Sequence, residues 1–135
     1  MITREDLESY LIRMGVSFEE VAEGMWVIRP AEGGAPVVVH YSPPVVLLRL
    51  KVLELPRDKD EARLARFYRR LLELNAADIV HGSYGIEANE LVLSDALELE
   101  SLDFPELRSS YESLTLAASS HLPALAELAP VAHEG

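Results

Sequence analysis

The sequence predicts an α+β domain: an antiparallel β-sheet with three helices, in the order α-β-β-β(-β)-α-β-β-α. Three observations carry this. Apolar residues recur at helical spacing in three separate segments, and the period shortens to two between them. The extended segments come in runs, which favours hairpins over βαβ crossovers.

The first helix starts at Thr3, whose hydroxyl can cap it while Asp6 lies in its positive first turn. Leu7, Tyr10, Leu11 and Met14 follow at helical spacing, and Gly15 is a natural terminator. Phe18–Val21 and Met25–Arg29 then read as strands around a turn at Glu23-Gly24. Turns at Glu32-Gly33-Gly34 and Pro43-Pro44 bracket strands at Pro36–Tyr41 and Val45–Glu54. In the last of these, Val46, Leu48, Leu50 and Val52 form an unbroken apolar face, the expected core side.

Pro56 ends that strand, and Asp58 or Asp60 can cap a second helix. Its expected stripe is Leu64, Phe67, Tyr68, Leu71 and Leu72, with Leu74 widening the apolar arc. His81–Ala88 and Leu91–Leu99 read as a hairpin about Asn89-Glu90. Gly82 and Gly85 in its first strand suggest a bulge or a close backbone approach. Asp103, Phe104 and Pro105 open the third helix, with proline expected at its first position. Phe104, Leu107, Tyr111, Leu114 and Ala118 line one side, and Pro123 is expected to break or end it. Residues 1–122 are thus read as a single α+β domain and residues 123–135 as a loosely ordered C-terminal tail.

Composition narrows the chemistry. The 135 residues include no cysteine, which removes disulfides, thiolate nucleophiles and cysteine-held metals. The formal net charge is -11, and all of it falls in residues 73–135, where Arg108 is the lone cation. Such a field opposes direct contact with nucleic acid or anionic membrane and favours basic partners. Six of the 12 cations cluster from Arg57 to Arg70, so a basic strip adjoins an acidic body. The polar, acidic opening Met1-Ile2-Thr3-Arg4-Glu5-Asp6 is unlike a signal peptide, and residues 35–53 carry too many breaks and charges to span a bilayer. The cytoplasm is the expected compartment.

No catalytic arrangement emerges. His40, His81, His121 and His133 lack metal-ligand spacing, and Gly82-Ser83-Tyr84-Gly85 has neither the lysine of a phosphate loop nor the geometry of a nucleophile elbow. We expect no enzyme activity, no cofactor and no metal. The expected sites are contact surfaces instead. Val45, Leu47, Arg49, Lys51 and Leu53 alternate along one strand and should project from its non-core side as a partner-binding surface. Its two cations would favour acidic groups on a ligand. Leu64, Phe67, Tyr68, Leu71 and Leu74 on the second helix are the expected homodimer interface.

Leu71-Leu72-Glu73-Leu74-Asn75, His81-Gly82-Ser83-Tyr84-Gly85-Ile86-Glu87, Leu91-Val92-Leu93-Ser94 and Leu99-Glu100-Ser101-Leu102-Asp103 together resemble the second half of type III secretion chaperones of the CesT type. They resemble their YbjN-like relatives more closely still. The resemblance implies a homodimeric, non-catalytic α+β chaperone-like protein that binds client or regulatory proteins. The alternative is a regulator that acts on nucleic acid, through the basic second helix or through a DNA-binding partner.

Overall fold

The computed structural model describes residues 1–31, 33–55 and 60–128. Nine elements follow one another: α1 Arg4–Arg13, β1 Ser17–Ala22, β2 Met25–Arg29, β3 Val37–Ser42, β4 Val45–Glu54, α2 Glu61–Ala77, β5 Ser83–Glu87, β6 Glu90–Glu98 and α3 Phe104–Leu128. The strands form one antiparallel sheet in the order β1-β2-β3-β4-β6-β5. The first four are a plain meander. Helix α2 then carries the chain past β4 to the far edge, and the β5–β6 hairpin returns to fill the gap.

Local chemistry sets the boundaries. Thr3 and Asp6 exchange side-chain-to-backbone bonds at the start of α1, and Gly15 leaves that helix at φ 71°, a conformation L side chains rarely adopt. Asp60 caps α2 by accepting from the Arg63 amide at 3.1 Å; the alternative cap, Asp58, lies outside the described residues, as do Pro56 and Glu32. Asp103 caps α3 through the Glu106 amide at 2.8 Å, which makes Phe104 the first helical residue and Pro105 the second. Ala88 and Asn89, both at positive φ, form the tight β5–β6 turn.

All three helices feed one core. From the sheet come Trp26, Ile28, Val37, Val39, Val46, Leu48, Leu50, Leu91 and Leu93; against them pack Leu7 and Leu11 of α1, Phe67, Leu71 and Leu74 of α2, and Leu107, Leu114 and Leu125 of α3. Within this core, Asp95 lies on the inner side opposite Leu48, and its carboxylate accepts from the fully buried Ser110 hydroxyl at 2.7 Å. The half-buried carboxylate thereby satisfies the buried hydroxyl, which would otherwise lack a partner.

Several expectations are corrected here. Pro123 does not end α3, which runs on to Leu128. A proline inside a helix costs about 3 kcal/mol, and burying Leu125 in the shared core offsets a comparable amount. The stripe of α2 is also rotated from its expected position. Phe67, Leu71 and Leu74 face the core, whereas Tyr68 and Leu72 are 41% and 68% exposed. On a helix, Leu74 continues the Phe67–Leu71 line, and Leu72 sits one position beyond it.

In β4 the register shifts between Lys51 and Leu53, so that Lys51 opposes Val92 while Leu53 opposes the buried Leu91. This bulge turns Leu53 towards the core, where Val52 also packs. Leu53 therefore does not share the outward side with Leu47, Arg49 and Lys51. Of the two glycines, only Gly82 makes a close approach. It precedes β5 at φ 81°, and a Cβ there would collide with the Ser94 carbonyl and lie 2.9 Å from Leu114. Gly85 has open space and continuous pairing, so there is no bulge at this position.

Two stability measurements test this packing. Leu48 is fully buried and Leu47 is 38% exposed. Leu48→Ala should therefore cost about 2–5 kcal/mol in urea unfolding. Leu47→Ala should stay within about 0.5 kcal/mol; the reverse order would mean the faces of β4 are inverted. Gly82→Ala should cost more than about 1 kcal/mol, because the positive φ and the Ser94 backbone both oppose a side chain.

Candidate docking surface

With all three helices on one side, the other side of the sheet faces solvent among the described residues. Its central rows are set by register. Met25, His40, Leu47 and Ala96 lie across one row, and Val27, Val38, Arg49 and Ser94 across the next. Leu47 stands near the middle, flanked by the half-buried Val38, His40 and Val45. Apolar side chains persist here without a covering layer.

Ion pairs frame this centre. Arg49 bonds Glu87 of β5, and Arg29 bonds Glu19 of β1 at 3.0 Å. Lys51 reaches Glu54 at 2.8 Å and Glu90 at 3.0 Å. Hydrogen bonds donated to Glu54, then Glu90, hold the Lys51 ammonium above its usual range, and the same ammonium holds the Glu54 carboxyl below its own. The cations expected to recruit acidic ligands are thus met within the surface itself. Of the five residues expected there, Val45, Leu47, Arg49 and Lys51 are brought together, and Leu53 is not.

The second expected surface is divided. Phe67, Leu71 and Leu74 are in the chain's own core, Leu64 is half-buried, and Tyr68 is exposed beside Leu72. The basic strip around them is partly neutralised, since Arg69 and Arg70 both lie near Glu73, at 3.7 and 3.9 Å. Arg57 and Lys59 of that strip lie outside the described residues.

Two features escaped the sequence reading. His121 of α3 joins the Tyr84 hydroxyl, at 2.7 Å from Nδ1, to the Asp78 carboxylate, at 2.9 Å from Nε2. Burial pushes the Tyr84 phenol far above its ordinary range, so it stays protonated. This junction pins the end of α2, β5 and α3 together. No local signal could reveal it, because its members are 37 and 43 positions apart. The other is a groove of about 780 Å³ between α3 and the β2–β3 turn, with Val16, Pro30, Leu50, Val52, Leu116 and Leu122 among its walls. Among the described residues, no cluster could hold a metal ion and no helix is long and apolar enough to cross a membrane.

The fold is shared with solved structures. YbjN from E. coli is similar at a TM-score of 0.69, with 15% identity over 97% of each chain. A chain of the heterodimeric complex ExoU–SpcU from the type III secretion system of Pseudomonas aeruginosa is similar at 0.67, with 18% identity over 90% of this chain and 96% of that one. A chain of the HopA1–SchA chaperone–effector complex follows at 0.61, with 11% identity over 85% and 88%. No curated protein matches the sequence. The CesT_Tir_1 family model matches residues 2–130, nearly the whole sequence with both sheet halves and all three helices, and the chain belongs to that family.

Proposed function

We propose that this protein is a non-catalytic, cytoplasmic protein-binding module, a dimeric chaperone-like or adaptor protein that holds partner proteins on the open face of its sheet. The carrying observation is that face. Leu47, Val38 and Val45 form an apolar centre that none of the described residues of the helices covers. A contiguous apolar patch retained in water commonly marks a contact site. The company of the fold supports the reading, since similar chains were solved in a heterodimeric secretion complex and in a chaperone–effector complex.

A second copy would use α2. Of the expected dimer interface, Tyr68 and the half-buried Leu64 remain once Phe67, Leu71 and Leu74 are assigned to the core, and the exposed Leu72 lies one turn beyond Tyr68 on the outer side. Direct action on nucleic acid has less behind it. Arg69 and Arg70 of α2 share Glu73, and a net charge of -11 opposes phosphate.

Affinity capture from native lysate tests the module. Leu47→Asp should lose the captured partner while the melting temperature stays within a few degrees of the unmodified protein, roughly as for other surface changes. Retention of the partner would move the site off this face. Light scattering at micromolar concentration should give twice the monomer mass, and Leu72→Asp should reduce it to the monomer value. A monomeric unmodified protein would end the dimer proposal.

A further inference from the structure

We infer that the open sheet face selects an apolar polypeptide segment bearing Lys or Arg, and disfavours an acidic one. This rests on the reading of that face as the docking surface and names the chemistry of what docks there. Among the described residues, outward-facing carboxylates come from Glu19, Glu54, Glu87, Glu90 and Glu98, and outward cations from Arg29, Arg49 and Lys51. The face is therefore negative by composition, although the β4 residues alone suggest the opposite.

The arrangement sharpens this. Each cation already has a carboxylate, so an incoming acidic group could only displace one partner to gain another and would strand the displaced charge beside itself. An incoming cation meets sites with capacity to spare. Glu54 and Glu90 share the one ammonium of Lys51. Glu98 is exposed next to Val45, at the other end of β6, with no cationic partner among the described residues. These two acidic sites lie eight residues apart along β6, about 26 Å in an extended strand. Between them runs the apolar centre at Leu47. A segment with apolar side chains in its middle and cations towards its ends matches that order of surfaces, and the field of the whole chain has the same sign.

The test uses the full chain and three labelled twelve-residue peptides with one shared Leu/Val pattern, carrying Lys, Ser or Glu at the remaining positions. Fluorescence anisotropy in low salt should rank them Lys, Ser, Glu, with about tenfold between the first two and a gap that narrows as salt screens it. Net charge is controlled by location. The double variant Glu90→Gln/Glu98→Gln should lose most of the Lys advantage, and Glu106→Gln/Glu127→Gln on α3, with the same change in charge, should keep it. Leu47→Asp should abolish binding, and Leu47→Ser should weaken it with the melting temperature preserved, which separates docking from folding. Equal or tighter binding of the Glu peptide, itself abolished by Leu47→Asp, would overturn the inference and leave the docking reading intact. Binding of the Lys peptide that ignores Leu47 would overturn both. So would a failure of all three peptides to bind. If Leu47→Asp converts a dimer to a monomer, a second copy covers the face, and the inference falls with it.

Discussion

A six-stranded sheet has two faces, and this chain has helices for one. Everything else about the protein follows from how that single covered face is filled. Its inward row along β4, Val46, Leu48 and Leu50, lies in the single core to which all three helices contribute. Helix α3 packs on both β4 and β6, and α2 packs on β5 and α3, so the buried residues of the helices join one cluster. Truncating that row would open the shared core, whereas truncating Leu47 on the opposite side of the same strand would leave it closed.

The two edges of the sheet are treated differently. At β5 the Asn75 carboxamide accepts from the Tyr84 amide at 2.7 Å and donates to the Tyr84 carbonyl at 3.3 Å, so α2 occupies backbone groups that another strand would otherwise seek. The Tyr84 side chain is held in turn by His121, and His121 by Asp78. One residue of an edge strand thereby fixes the positions of two helices. Gly82 belongs to the same junction, since only a residue without a side chain can pass between Ser94 and Leu114. The far edge, β1, is predominantly exposed and has no comparable cover.

The open face acquires its character from the neighbours of β4. Taken alone, Arg49 and Lys51 make that strand look cationic. Once β5 and β6 are placed beside it, Glu87 and Glu90 join Glu54 of β4 itself, and the three carboxylates outnumber the two cations they pair with. Exposed ion pairs of this kind contribute little to stability, on the order of 0–1 kcal/mol each. Their greater effect is on which charges an approaching molecule meets.

The sequence by itself determined the element types, their order and the inner row of β4. Caps such as Thr3, Asp60 and Asp103, turn residues such as Gly24 and Asn89, and the alternation from Val45 to Lys51 are local signals, read over a few residues at a time. The resemblance to secretion chaperones and YbjN-like proteins lay in the same short motifs. What the tertiary structure decided is whatever depends on a partner distant in sequence. The bulge that turns Leu53 inward exists because β6 opposes β4 out of step there, and α3 continues through Pro123 because a core waits for Leu125. Helix α2 rotates by one residue so that Leu74, not Leu72, meets that core. Periodicity gives the existence of an apolar stripe, but the direction it faces is set by the surface it packs on, and that surface is assembled from strands that come both before and after it in the chain.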